Sequence, residues 1–276
     1  MDTLQNLHIH STFCDGADTP EEVVVAALEK GFSSVGFSGH SYMPYSPLFI
    51  RQGDKTAAYK KEISRLKEKY KDQLGIYCGL EVDLYSKVDL TGFDYLIGSV
   101  HYLKFGERFQ SFDRDLDATT TYIREHFGGD GLAFAKRYFE TLCLLPEKGQ
   151  FDILGHFDLI AKNNDKGHFF DTASQEYLTA GFDAIHSLKG RIPLFEVNTG
   201  AIARGYRSAP YPQADFLKEF LDCGFGAVIT SDCHDKHFID CHFKEATLLL
   251  KSIGFTTKWI LTDRGFREVA LCMRFK

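Results

Sequence analysis

The chain has 276 residues, and its 44% hydrophobic and 25% charged content is that of a folded globular protein, which excludes extended disorder. With 38 acidic against 32 basic residues it carries a net charge of −6, the wrong sign for a dedicated nucleic-acid binder. A domain averages about 150 residues, but α/β barrels use about 200–250 in one piece, so the reading is a single domain over residues 1–276.

The first predicted strand is 4–10, followed by a helix over 20–30 that opens on Pro20 and two glutamates and stops at Gly31. A second strand is predicted over 33–39, a charged helix over 55–72, and strands over 75–82 and 94–101. The segment 103–130 is the least regular and reads as an insertion, although a helix fits 117–126. Helices are then predicted over 131–145, 174–188, 211–222 and 241–252, with strands at 152–157, 192–198 and 226–232. The run 258–262 is a candidate eighth strand. Most of these strands are near-continuous apolar runs, as in a parallel sheet covered on both faces. Alternating strands and helices predict right-handed βαβ units, closing as an α/β barrel or open sheet.

The seven cysteines, Cys14, Cys78, Cys143, Cys223, Cys233, Cys241 and Cys272, form no C-x-x-C pair, so no disulfide framework is expected. That fits a reducing cytoplasm, as does an N-terminus without the marks of a signal peptide. The longest apolar run, Val23 to Leu28, is far below the roughly 18 residues of a membrane span.

Metal-ligating side chains recur at one kind of place, the C-terminal end of a predicted strand. His8 and His10 end the first strand and Asp15 follows in its loop. His40 ends the second strand, Glu81 the third, His101 the fourth and His156 the fifth, while Asp232 and His234 end the seventh. In parallel α/β folds the loops at that end converge on one mouth. Side chains alternate along a strand, so His8 and His10 share a face, as do Asp232 and His234. Taken singly, each is an ordinary polar residue; taken in order, they form a pattern. Imidazole and carboxylate donors suit Zn, Fe or Mn, and the set exceeds what one ion can use. Two or three ions are therefore expected, with Glu81 able to bridge. His126, His168, His186, His237 and His242 lack partners at ligand spacing. Cys14, Cys233 and Cys241 flank the pattern and are left out, Cys233 because it should point away from Asp232 and His234.

The ordered set H-x-H…D, GH, GLEVD, SVH, GHFD and SDCH resembles the PHP family, the polymerase and histidinol phosphatase metal-dependent hydrolases, from His8 to His234. FEVNTGAIARGYRSAPYP (195–212) with GHFDLIAKNN (155–164) resembles the stand-alone histidinol-phosphate phosphatase branch. The resemblance implies a distorted (β/α)7 barrel and a trinuclear site. One ion would take His8, His10, Glu81 and Asp232, a second Glu81, His101 and His156, and a third Asp15, His40 and His234. It also implies an arginine on the substrate phosphate, which Arg204 matches with Arg207 close by. Lys162 stands near where relatives carry a second cation, without arginine's bidentate fork.

The implied reaction is metal-dependent hydrolysis of L-histidinol phosphate to L-histidinol and phosphate, a step of histidine biosynthesis, by a hydroxide bridging the ions. Asp158 or water on the third ion could protonate the leaving oxygen, and Asp113 or Asp115 could meet the substrate amine. The rival readings are a phosphodiesterase, nuclease or nucleotide phosphatase on the same scaffold, an amide hydrolase, and a non-catalytic metal-binding regulatory module. The last predicts missing ligands, and none is missing. The partner expected is a small phosphorylated molecule, with neither nucleic acid nor membrane.

Overall fold

The computed structural model describes residues 4–46 and 53–271. Its centre is a seven-stranded, wholly parallel sheet in the order β1 (Gln5–Asn6), β2 (Ser34–Phe37), β3 (Gly75–Asp83), β4 (Tyr95–Ser99), β7 (Ile153–Leu154), β8 (Leu194–Asn198) and β9 (Gly226–Thr230). The missing numbers belong to a hairpin, β5 (Tyr102–Phe105) and β6 (Arg108–Ser111), that follows β4. Helices α1 (Pro20–Glu29), α2 (Thr56–Lys69), α3 (Leu116–Phe127), α4 (Gly131–Leu142), α5 (Leu145–Lys148), α6 (Asn164–Gly167), α7 (Gln175–Leu188), α8 (Gly200–Ala203), α9 (Ala214–Cys223) and α10 (Phe243–Ile253) connect the strands.

The sheet curls until its outer strands nearly meet, giving the distorted barrel. β1 and β9 share no ladder. The seam closes just above them, where Cys233 N donates to His8 O at 2.9 Å and His10 N to Cys233 O at 2.8 Å. Lower in the seam, the Asn6 amide donates to Ser231 Oγ and Ile239 O and accepts from His8 N. A buried polar side chain thus replaces missing ladder bonds.

The lumen is filled in layers. Its lower layer is apolar: Leu7, Tyr77, Tyr95, Ile97, Ile153, Leu194 and Val228. Tyr95 crosses the barrel to donate its hydroxyl to Leu7 O. Gly79 makes room for it, since a Cβ there would lie 2.2 Å from Tyr95 Cζ. Two residues further up the same strand faces, polar groups replace apolar ones: Glu81 above Gly79, Glu196 above Leu194, Thr230 above Val228.

Several expectations need correction. Apart from β3, which runs one residue longer than predicted, the barrel strands are shorter, so His8, His10, His40, His101, His156, Asp232 and His234 stand in the loops beyond the strands rather than in the ladder. The run 258–262 is not an eighth barrel strand. It is β10 (Thr257–Thr262), paired with β11 (Gly265–Ala270) in an antiparallel hairpin that caps the lower lumen with Trp259, Leu261 and Phe266. The Gln5 amide fastens it, donating to Leu261 O at 2.9 Å and accepting from Leu261 N at 2.8 Å. The segment 103–130 is regular, most of it in the β5–β6 hairpin and α3. The predicted helix 211–222 begins at Ala214, because Tyr211 is held by paired backbone bonds to Asn198. Among the described residues no cysteine is disulfide-bonded and no helix is long and apolar enough to cross a membrane; Cys272 lies outside them.

Candidate metal centre

The loops above the strands bring all the predicted ligands to one place. Glu81 is its middle. Its Oε2 lies 2.8 Å from His40 Nδ1, 3.5 Å from His8 Nε2 and 3.6 Å from His10 Nε2. Its Oε1 lies 2.9 Å from His156 Nε2 and 3.3 Å from His101 Nε2. Asp232 Oδ1 stands 3.1 Å from His10 Nε2, 3.6 Å from His8 Nε2 and 3.4 Å from His234 Nδ1. Asp15 closes the outer side, 3.3 Å from both His10 Nδ1 and His234 Nε2 and 3.5 Å from His40 Nε2. His8, His10, Glu81, His101, His156 and Asp232 are buried, whereas His40 and His234 are half-buried and Asp15 is exposed at the mouth.

Backbone strain helps to aim one of them. Asp232 has φ +44°, a left-handed conformation that L residues rarely adopt and that costs about 1–3 kcal/mol. Its carbonyl and carboxylate both accept from Arg204, at 2.9 and 2.7 Å.

The electrostatics call for positive charge. Burial opposes charge on each imidazole, yet Glu196, Glu81 and Asp232 outweigh it at His8 and hold that pKa up at about 10. Burial is likewise outweighed at His101, chiefly by Glu81, again at about 10, and His10 and His40 are raised too. Burial would raise Asp15, Glu81 and Asp232, but the facing histidines, and Arg204 for Asp232, hold all three well below the usual carboxylate range. His234 is the exception, pushed down by burial and by His10, which stacks on it at 4.0 Å. Carboxylates that gather protons onto imidazoles in this way would exchange those protons for metal ions.

Unpaired atoms support the same fit. His8 Nε2 and His156 Nδ1 are buried and lack a hydrogen-bond partner, costly for polar atoms that no ligand uses. Donor atoms also gather within 4.8 Å of one another in three overlapping groups: His8, His10 and Asp232; His10, Asp15, His40 and His234; and His40, Glu81 and His101. A further group, His186, Glu219 and Cys223, lies on the outer faces of α7 and α9, with His186 Nε2 2.6 Å from Glu219 Oε1.

Above the cluster opens a cavity of about 220 Å³ that Arg204, Lys162, Asp113 and Tyr206 line together with seven of the nine predicted ligands, His8 and His10 lying deeper. A second cavity of about 170 Å³ shares Asp15, His40, His101 and Asp113 with it and adds Ser46, Tyr102 and Ser111. Lys162 stands 3.5 Å from the Asp113 carboxylate and over the Tyr206 ring.

Other expected residues lie elsewhere. Arg207 does not line these cavities; it is buried, 3.4 Å from Asp158 Oδ2 and stacked on Tyr211. Asp158, one candidate acid, is sealed beside it and accepts from Gln213 N. Asp115 is the N-cap of α3, accepting from Ala118 N. Of the cysteines set aside, Cys233 turns away to Asp235 O, but Cys14 Sγ lies 3.4 Å from His10 Nδ1 and so touches the cluster. Two carboxylates outside the sequence pattern join the site: Asp83, which accepts from His101 N, and Glu196, which accepts from His8 Nδ1. Asp83 had a signal, being two residues past Glu81 on one strand face.

Fold and site together define an α/β barrel with a histidine- and carboxylate-lined mouth. The PHP domain family matches residues 6–192. The histidinol-phosphatase of Bacillus subtilis is 35% identical over 251 residues, covering 82% of this chain and 92% of that protein. The histidinol-phosphatase of Lactococcus lactis is 27% identical over 268 residues, covering 90% of each. The solved structure of a histidinol phosphate phosphatase from Lactococcus lactis, complexed with Zn, L-histidinol and phosphate, shares the fold at TM-score 0.70 and 19% identity, covering 95% of this chain and 98% of that one. The chain belongs to the PHP domain family. Arg204, Asp232 and His234 lie beyond the matched segment, yet fold into the same cluster.

Proposed function

We propose that the protein is a metal-dependent phosphomonoesterase that hydrolyses L-histidinol phosphate to L-histidinol and phosphate, a step of histidine biosynthesis. One observation carries the chemistry: imidazoles, carboxylates and two cationic side chains line a single cavity of about 220 Å³. The names of the relatives supply the substrate.

Two or three ions, of Zn, Fe or Mn, are assigned to the cluster. His8, His10, Glu81 and Asp232 would hold one, Glu81, His101 and His156 a second, and Asp15, His40 and His234 a third. When bound, such ions supply Lewis acidity toward phosphoryl oxygens and a water that ionises near neutral pH.

The chain's own groups do the rest. Hydrolysis breaks the bond between phosphorus and the histidinol oxygen, and negative charge gathers on the phosphoryl oxygens. Arg204 offers its remaining N–H donors there, held in place by its two bonds to Asp232. Lys162 adds a point charge across the cavity. Asp113, at the junction of the two cavities, faces the substrate's ammonium group, and the second cavity houses the imidazole end.

The whole chain is read as one catalytic domain for a small cytoplasmic substrate; its net charge of −6 supports a partner other than nucleic acid. The test is phosphate release by metal-loaded protein from histidinol phosphate, an aryl phosphate, a nucleotide monoester and an aryl phosphodiester. Preference for histidinol phosphate, lost on chelation, is expected. Preference for the diester or the nucleotide overturns the substrate assignment.

A further inference from the structure

Beneath the cluster, Glu196 is buried completely and uses both carboxylate oxygens twice. Its Oε2 accepts from His8 Nδ1 at 2.9 Å and from Thr230 Oγ1 at 2.8 Å. Its Oε1 accepts from His156 N at 2.6 Å and from Asn198 Nδ2 at 2.8 Å. One side chain on β8 therefore ties together β9 and the loops that carry His8 and His156.

We propose that Glu196 is a positioning residue that fixes the tautomer of His8 and couples it to His156, so that ligands assigned to two different ions are set by one carboxylate. This rests on the ligand assignment above. The argument is one of donors and acceptors. A carboxylate only accepts, so His8 Nδ1 must carry a proton, and a neutral ring then presents a bare lone pair at Nε2. That nitrogen is the buried atom without a hydrogen-bond partner, facing Glu81 Oε2 and Asp232 Oδ1. Histidine ligands are commonly oriented in this way by a carboxylate on the far nitrogen. The unusual feature is the second oxygen, which holds the His156 backbone.

Glu196→Gln keeps size and shape but turns one oxygen into an NH₂ donor. Turned toward Oε1, it opposes the His156 N–H. Turned toward Oε2, it opposes the His8 Nδ1 proton and drives that proton to Nε2, where it blocks ligation. Either orientation damages one ligand, and rotation of Thr230 or Asn198 relieves only the neighbouring contact.

The experiment compares wild type, Glu196→Gln and His8→Ala, each dialysed against a buffered series of free Zn²⁺ and Mn²⁺ concentrations. Bound metal per chain is measured, and histidine tautomers are read by ¹⁵N NMR of histidine-labelled protein. Glu196→Gln should remain folded and lose roughly 10–100-fold in affinity for part of its metal, with a displaced His8 or His156 signal. A merely structural role would lower the unfolding temperature and leave tautomer and affinity unchanged, which overturns the proposal. If His8→Ala loses metal and Glu196→Gln does not, only the role of Glu196 fails. If His8→Ala also keeps its full metal content, the ligand assignment itself fails.

Discussion

The two ends of the barrel are built from the same strands and opposite chemistry. At the lower end, Leu7, Tyr77, Ile97, Ile153, Leu194 and Val228 fill the lumen, and a hairpin covers it with Trp259, Leu261 and Phe266. At the upper end, the same strand faces continue into Glu81, Glu196 and Thr230, and the loops add closely packed histidines and carboxylates. The lower end gains stability from burying apolar area. The upper end costs stability, since desolvated charges and the strained Asp232 persist only because the barrel below over-determines them. Changes at the two ends should therefore separate activity from stability.

Arg204→Ala gives the largest expected effect. It removes the guanidinium from the cavity, and kcat/KM for a phosphomonoester should fall about 10²–10³-fold, with a loss of unfolding temperature because the buried Asp232 carboxylate loses its partner. Steady-state kinetics with circular dichroism melting checks both halves. Next comes Gly79→Ala at the boundary between the layers, where the added methyl would collide with the Tyr95 ring. A loss of about 1–3 kcal/mol or more is expected in urea unfolding, and the metal content of the folded fraction should be unchanged.

Gln5→Ala acts on the lower end alone. It strips Leu261 of both backbone partners, so about 1–3 kcal/mol should be lost while KM stays at the wild-type value. A rise in KM would mean that the hairpin communicates with the mouth. The smallest effect belongs to the outer surface. Glu21 bonds to Lys69, Arg65 and Tyr70, and these hold its pKa at about 2. A depressed carboxylate stabilises the fold above its unfolded value and loses that contribution as pH falls through the folded one. Because exposed pairs contribute little, Glu21→Gln should shift melting only slightly at pH 7, and the shift should shrink as pH falls toward 2 and disappear below it.

The mouth was more legible in the sequence than the base. Donors such as His10, His40 and Glu81 are conspicuous because imidazoles and carboxylates are rare at the ends of apolar runs. Strand order follows from alternation of elements, but strand length does not, because the loops leave the ladder where side chains must aim inward, as at His156. Residues 258–262 match a barrel strand in composition; only the turn at Thr262–Gly265 marks a local hairpin, and Gly265 at φ +94° fits it. Glu196 was hidden because an acid within FEVN, flanked by apolar residues, reads as part of a strand. Arg207 shows the opposite error: nearness in sequence to Arg204 suggested a shared role, yet its side chain points to a different buried partner, Asp158.

The central claim is that the upper cluster holds metal and that the protein's phosphomonoester hydrolysis depends on it. The most direct test measures metal content and histidinol phosphate hydrolysis on one preparation during stepwise chelation and reloading. Activity that falls and returns with two or three ions per chain is the predicted result. Full hydrolysis by protein stripped of metal would contradict the account.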